Sequence, residues 1–350
     1  MSDDKNAGSM RVSTRRSAQT FFLLVIGMVS IVACVAWTER ASAASPKNTV
    51  IANIAVGQIP QEVVVSPDNN SVYVTNDLSN TVSVINAQTD VVEKTISVGK
   101  SPYGLAISSD GSTLYVSQDT SPGAVTVIDL AHGDSQKTIT GINPYPLGID
   151  LSPDGTQLWV AAGNIFRVST ANNQVLGSVT VPGGCASLAF TPDGNKVYAS
   201  GNAGGRFGVI TVVSTATGTV TKTIPVSSNA FEPAAFAMRG QRAYALVDVG
   251  FNTLTGVLLV INTATDTVIK RIRLGLEAGD RPALLPHTPY LYLPIFVPSA
   301  VTLFDTKTKT LVGDGVTCPS GAYNVAIAPN GARAYVTDEL ANSVTVIRIQ

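Results

Sequence analysis

The chain has 350 residues, of which 13% are charged, with a formal net charge of −1, three cysteines and two histidines. So little charge, against about 25% in ordinary soluble domains, and so even a balance exclude a general electrostatic attraction to nucleic acid or anionic lipid. No His-Glu-x-x-His, Cys-x-x-Cys or Cys-x-x-Cys-His motif is present, so neither a zinc site nor attached haem is expected and no cofactor is called for.

In chain order, residues 1–43 read as an address. Arg11, Arg15 and Arg16 precede a charge-free apolar run, Phe21–Trp37, followed by Thr38-Glu39-Arg40 and Ala41-Ser42-Ala43. That is the charged, apolar and small-residue layout of a secretory signal, with cleavage after Ala43. Two other fates fit the same residues. Ile31-Val32-Ala33-Cys34 resembles a bacterial lipobox and would leave a lipid anchor on Cys34, and the apolar run is just long enough to span a membrane. Arg15-Arg16 has the twin-arginine pair, but Ser17-Ala18-Gln19 lacks the apolar residues expected behind it. Each fate places the rest of the chain outside the cytoplasm: periplasmic, secreted or at the cell surface. The leader's five basic and three acidic residues, taken from 23 and 24, leave 18 and 21, a net charge of −3.

From Ala44 onward the sequence repeats itself. Ser66-Pro67-Asp68-Asn69, Ser108-Ser109-Asp110-Gly111, Ser152-Pro153-Asp154-Gly155, Thr191-Pro192-Asp193-Gly194 and Ala328-Pro329-Asn330-Gly331 each precede an aromatic residue, and two degenerate copies lie between the last two. The seven aromatics are Tyr73, Tyr115, Trp159, Tyr198, Tyr244, Tyr292 and Tyr335, spaced 42, 44, 39, 46, 48 and 43 residues apart. A period of roughly 40–45 residues with four short strands per unit marks a propeller blade. In each unit an apolar strand a is followed by a Ser-Pro-Asp-Gly turn whose residues are set by turn chemistry. Strand b carries the aromatic, strand c is β-branched (Thr81–Ile85, Val125–Ile128, Val344–Ile347), and strand d is half polar, as an outer edge should be. No stretch after the leader has a helical apolar period, so the predicted fold is all-β: one seven-bladed β-propeller domain over residues 44–350.

The strand count predicts how the ring closes. After Tyr335 there is room for strand c, Ser343–Ile349, and nothing more. Thr49–Gly57 parallels Asp90–Gly99, so Thr49–Val56 is expected to supply the missing outer strand of the seventh blade. Closure of this kind leaves only short protected edges.

Tyr73-Val74-Thr75-Asn76 behind Ser-Pro-Asp, with a preceding Val-Gly-x-x-Pro (Val56, Gly57, Pro60; Val98, Gly99, Pro102), resembles the YVTN-repeat, YncE-like β-propeller family over about residues 48–350. The resemblance implies the seven-bladed fold. For function it implies a range that runs from surface-layer repeats and periplasmic binding proteins to a few enzymes, with single-stranded DNA binding among some relatives. Blades five and six depart from the pattern: Phe231–Tyr244 is shortened, and Leu285-Pro286-His287-Thr288-Pro289 replaces the turn.

Other motifs are thin. No Gly-x-Ser-x-Gly elbow occurs. The Gly-rich stretch Gly201–Gly208 precedes a β-branched strand rather than a helix, so it reads as a b–c turn and not a phosphate loop. His132 and His287 read as turn residues. Cys185 and Cys318 fall at separate places in the repeat frame, about a blade width apart, which favours two thiols over a disulfide.

The d–a and b–c loops gather on one face around the channel mouth, where binding residues tend to lie. On that face the fold does not itself demand Tyr103, Tyr145, Glu232, Asp280, Arg281 or Tyr323, and the b–c loops add Arg206, Asp248, Phe251 and Asp338. The tyrosines with Glu232, Asp280 and Arg281 could clamp a polar ligand; alternatively Arg281 pairs with Asp280 or another acid and the tyrosines plug the channel. With no catalytic residue assigned, the expected function is a binding or interaction module for a protein, a peptide, an envelope component or a small polar ligand. The alternative is a lactonase- or lyase-type enzyme at the channel mouth. A mouth with convergent acids, a histidine and a metal-sized gap would favour the enzyme, and a tyrosine-lined or plugged mouth the binding module.

Overall fold

The computed structural model describes residues 45–202, 208–227, 230–249 and 256–350. They form seven antiparallel sheets arranged as blades in a ring. Blade one runs Pro60–Val65, Ser71–Asn76, Thr81–Asn86 and Val91–Ser97, paired in that order from the channel outward. Blades two to five repeat the order, starting at Pro102, Ile149, Ser187 and Ala230. In blade six the inner strand is split into Glu277–Ala278 and Ala283–Leu284, both paired to Tyr290–Val297. Blade seven comprises Ala322–Ile327, Arg333–Asp338 and Ser343–Ile349, and its outer strand is Asn48–Ala55 from the start of the domain. Val50 faces Ile347 and Ile54 faces Val344, so the closure read from the strand count is the one observed.

The repeat aromatics hold the ring together. All seven are buried, and each belongs to an apolar cluster shared between its own blade and the next. Tyr73 packs with Leu105 and Leu114 of blade two, Tyr198 with Phe236 and Ala243 of blade five, and Tyr335 with Val63 and Val72 of blade one. Among the described residues there are seven such clusters, one per interface. Burial against neighbours only is what makes the whole ring one folding unit.

The a–b turns are built by side chains. Ser108 Oγ donates to Asp110 Oδ1, which also accepts the Ser112 N–H, while Ser108 Oγ accepts the Thr113 N–H. Ser66/Asp68, Ser152/Asp154 and Thr191/Asp193 repeat the arrangement. The fourth turn residue has φ near +70° at Gly111, Gly155, Gly194 and Gly331, a conformation that costs glycine little. His287 lies in the degenerate turn of blade six and His132 in the exposed c–d turn of blade two, beside Asp129. Cys185 and Cys318 are separate buried thiols.

Candidate functional site at the channel-side bulges

The inner strands carry a defect that repeats around the ring. In blade one Pro60 faces Asn76 and Val63 faces Val74, so Gln61 and Glu62 together oppose Thr75. The same two-against-one bulge puts Tyr103-Gly104 against Ser117, Ala234-Ala235 against Leu246, and Tyr323-Asn324 against Thr337. In blade six, residues 279–282 lie between the pairs Ala278↔Ile295 and Ala283↔Tyr292, which places Asp280 and Arg281 at the matching positions. A bulge re-aims side chains and breaks the ladder, leaving an amide to satisfy. Here the b-strand hydroxyl does so. Thr75 Oγ1, Ser117 Oγ and Thr337 Oγ1 accept the N–H of Glu62, Gly104 and Asn324. The same hydroxyls donate to the carbonyls of Tyr103, Leu147 and Gln61 in the next blade. Gly104 admits no side chain, since a Cβ there would lie 2.5 Å from the Leu147 carbonyl oxygen.

These bulges bring together side chains from distant parts of the chain. Arg281 Nη1 lies 2.6 Å from Glu62 Oε1, linking blade six to blade one past blade seven. The Arg281 N–H donates to Asn324 Oδ1 (2.7 Å), and Asn324 Nδ2 donates to the Gln61 carbonyl (2.8 Å), so blade seven is tied into the same link. Tyr103 and Tyr323 meet hydroxyl to hydroxyl at 2.9 Å, joining blades two and seven past blade one. Phe296 packs edge-on against Tyr323 with ring centroids 6.4 Å apart. Gln61 Nε2 donates to Glu339 Oε1 (2.9 Å) above this level.

The electrostatics are crowded. Burial pushes the Glu62 carboxyl up to about 7; Arg281 opposes the rise, and the nearby Asp280 and Asp150 add to it. Burial likewise raises Asp150, whose Oδ2 accepts the Phe190 N–H, with Arg281 again opposing. For Arg281 burial works against the charge, but the carboxylates of Glu62, Asp150 and Asp280 outweigh it and hold the guanidinium above its ordinary range. Among the described residues one cation thus serves three acids. The residues can hold charge and tie blades six, seven, one and two to one another, and among the described residues no three His, Cys, Asp or Glu side chains are grouped to hold a metal ion.

Of the residues singled out in the sequence, Tyr103, Tyr323, Asp280 and Arg281 come together at the bulges, within or beside the inner strands rather than in the d–a loops. Asp280 takes the Ala235 N–H on its Oδ1, and its own N–H donates to the Tyr323 carbonyl. Tyr145 stays in a loop, half-buried with φ +65°, its N–H donating to the Thr120 carbonyl. Asp338 is corrected: it ends strand b, is fully buried, and turns its Oδ2 to the hydroxyls of Ser343 and Thr345 rather than to the mouth. Its place matches that of Asn76, whose Nδ2 serves Thr81 and Ser83, because a short polar group there binds the strand c hydroxyls. Arg206 and Phe251 lie outside the described residues, as do the side chains of Glu232 and Asp248. Sequence reasoning missed Glu62 and Asp150. The signal for Glu62 was available, since the second residue after the repeat proline is Gly104 and Gly148 in the next two units and an acid only here. Asp150 sits in an inner strand whose equivalents, Ala106 and Ala189, are apolar.

A family model described as YNCE-like beta-propeller matches residues 11–117 and 69–350. Among solved structures, a chain of the hydrazine synthase of Kuenenia stuttgartiensis superposes with a TM-score of 0.74 at 22% identity, over 83% of this chain and 95% of that one. The β-propeller domain of Cps50 (Swd1) from Myceliophteria thermophila superposes with a TM-score of 0.71 at 13% identity, over 87% and 100%. At such identities the likeness is one of fold alone. No curated protein sequence matches the chain.

Proposed function

Because the chain belongs to the YNCE-like β-propeller family, we propose that it is an extracytoplasmic binding module that meets a protein, peptide or envelope component on its channel-mouth face. One observation carries this reading. At the level of the bulges the channel is crossed twice, by the Arg281–Glu62 ion pair and by the Tyr103–Tyr323 hydroxyl contact. An enzyme at the mouth would need free acid, base or nucleophile side chains pointing at a cleft. Among the described residues at this level Arg281 is spent on Glu62 and Tyr103 on Tyr323, which leaves recognition to the rim above them. The crowding of acids around Arg281 also speaks against a nucleic acid backbone as the partner.

A photo-crosslinking residue placed at Asp119 on the mouth face, and separately at Asp129 on the opposite face, tests the reading in the producing cell. A defined adduct from Asp119 and none from Asp129 is expected; adducts from Asp129 alone would sink it. The extracytoplasmic half of the proposal rests on the leader and is tested by mass spectrometry of the exported protein. A chain beginning at Ala44 is expected, a diacylglyceryl group on Cys34 would mark the lipobox as the working signal, and a full-length chain in the cytosol would refute export.

A further inference from the structure

On the side of the ring away from the channel mouth, the c–d turns of blades one, two, five and six each hold a left-handed residue. These are Asp90, Asp134, Asp266 and Lys309, with φ between +51° and +61°. Each of the three aspartates is paired with a base of the preceding blade. Arg333 of blade seven lies 2.5 Å from Asp90, Lys94 of blade one 2.5 Å from Asp134, and Lys196 of blade four 2.7 Å from Asp266. Asp266 also accepts the hydroxyl of Tyr198, the repeat aromatic of blade four. Lys222, on the outer strand of that blade, reaches the adjoining Thr265 carbonyl at 3.3 Å.

Between blades five and six the bases are kept and the aspartate is not. Arg242 opens strand b at the register position of Lys196 and Arg333. Lys270 holds the position of Lys94 and Lys222 and donates to the Lys309 carbonyl at 3.3 Å. At the blade four–five interface these positions and the following turn hold Lys196, Lys222 and Asp266, a net charge of +1. At the blade five–six interface they hold Arg242, Lys270, Lys307, Lys309 and Asp305, a net charge of +3. Asp305 does not replace the aspartate: it is 4% exposed, and its Oδ1 accepts the N–H groups of Lys307 and Thr308 in its own turn. Arg242 donates instead to the adjacent Gln241 carbonyl. Among the described residues none of the four bases has an ion pair. A second observation is independent of charge. Tyr244, the repeat aromatic at the register position of Tyr198, is 5% exposed and packs in the cluster between blades five and six. Where Tyr198 donates to Asp266, the Tyr244 hydroxyl has no acceptor among the described residues, although a hydroxyl on so buried a side chain ordinarily has one.

We propose that the blade five–six interface binds a doubly charged tetrahedral oxyanion, either inorganic phosphate or the phosphate monoester group of a larger ligand, between Arg242, Lys270 and Lys309, with the Tyr244 hydroxyl as a further donor. The excess of two positive charges over the neighbouring interface sets the charge of the ligand. One carboxylate would leave the site more positive than its neighbour, whereas a phosphate monoester, at about −1.5 to −2 near pH 7, brings it level. The guanidinium and ammonium groups supply the charge-assisted hydrogen bonds that phosphate oxygens accept. The site lies on the face opposite the channel mouth, so it stands or falls apart from the binding-module reading.

Isothermal titration calorimetry and melting curves on the intact protein, at a constant ionic strength of about 50 mM, test the site. Inorganic phosphate and glycerol phosphate are the probes, and acetate is the singly charged control. Saturable binding that raises the melting temperature is expected from the probes, with acetate about tenfold weaker or more. Tighter binding of glycerol phosphate would assign the group to a larger ligand, and tighter binding of inorganic phosphate would assign a free anion. Lys309→Asp restores the carboxylate of the other interfaces. It should melt about 1–3 °C above the parent without phosphate and gain nothing from its addition. Arg242→Met/Lys270→Met should weaken binding about tenfold or more, and Tyr244→Phe about threefold. Lys100→Asp makes the same change of charge in a d–a loop on the mouth face and should alter affinity less than about twofold. Absence of saturable binding by either probe, acetate binding as tightly, or equal loss in Lys309→Asp and Lys100→Asp would each overturn the proposal.

Discussion

Thr75 Oγ1 donates to the main-chain carbonyl of Tyr103 at 2.7 Å while accepting the Glu62 N–H at 3.0 Å. One hydroxyl thus satisfies the amide that the bulge frees in its own blade and reaches the inner strand of the next. Ser117 and Thr337 repeat it. This gives the third residue of Tyr-Val-Thr-Asn a physical cause. Valine has the right shape and β-propensity but would leave two buried polar groups unmet. Thr75→Val should therefore lower stability by about 2 kcal/mol, and Thr75→Ser by less than about 1 kcal/mol. Urea denaturation of both variants checks this, and a valine as stable as the parent would mean that the stitch contributes nothing.

Among the described residues Arg281 is the one cation beside Glu62, Asp150 and Asp280. Removing it leaves buried carboxylates uncompensated, so Arg281→Met should cost about 3–5 kcal/mol at pH 8. Near pH 5 the loss should shrink, because Glu62, raised by burial to about 7, is then protonated. Glu62→Gln/Arg281→Met should recover much of the loss. A double-mutant cycle at the two pH values measures the coupling; a cost independent of pH and of the residue at 62 would place the role of Arg281 elsewhere.

Much of this architecture is legible in the chain because a propeller writes each structural device several times. The spacing of Tyr73 to Tyr335 reads as seven blades since each aromatic must fill the same interface. The absence of a last outer strand after Ile349 points to Thr49–Val56 because a four-stranded sheet cannot be left one strand short. The channel is less legible, for the opposite reason. Glu62 and Arg281 lie 219 positions apart in the sequence and meet only when the ring closes, and no local pattern encodes which blade faces which. Tyr103 and Tyr323 stand out as residues the repeat does not need, but their contact depends on bulges that no periodicity announces. Asp338, expected in a b–c loop, ends strand b, as Asn76 and Gln118 do in blades one and two. Their shared task, bonding strand c hydroxyls, becomes visible only once Thr345 and Thr126 are seen on the neighbouring strand, two positions beyond the residues that Asp338 and Gln118 face.

The pH dependence of stability has a defined sign. Burial raises Glu62 from 4.5 to about 7 and Asp338 from 3.8 to about 6, hydrogen bonds from Thr345 and Ser343 only partly opposing the latter. The native state then binds more protons than the unfolded chain across these windows, so both groups make stability fall as pH rises from about 4 to about 7. Asp68, Asp110, Asp154 and Asp193 act oppositely. Hydrogen bonds from the turn hydroxyls hold them below the usual range, Asp110 at about 2, so their contribution is lost as pH falls below about 4. The melting temperature should peak in mildly acidic buffer. Asp338→Asn, which copies blade one, should add on the order of 1–3 kcal/mol at pH 8 and almost nothing at pH 4. A melting profile that rises steadily from pH 5 to 8 would contradict the assignment.

The closing strand offers the last test. Asn48–Ala55 pairs along Ser343–Ile349, Asn53 Oδ1 accepts the Thr345 hydroxyl, and Asn48 Oδ1 accepts that of Tyr292 in blade six. Ile54, Ile51 and Val56 belong to the cluster between blades seven and one. It is not the only tie across that interface. Asn324 and Thr337 both donate to the Gln61 carbonyl, and Arg333 pairs with Asp90. Deleting residues 44–57 therefore leaves the channel side joined while stripping the outer edge, which exposes a strand and part of an apolar cluster together. The expected result is loss of the single cooperative transition in calorimetry, with aggregation, and recovery of it when a synthetic peptide of residues 45–57 is added in excess. A deletion variant that melts like the parent would show that the inner ties alone hold the ring.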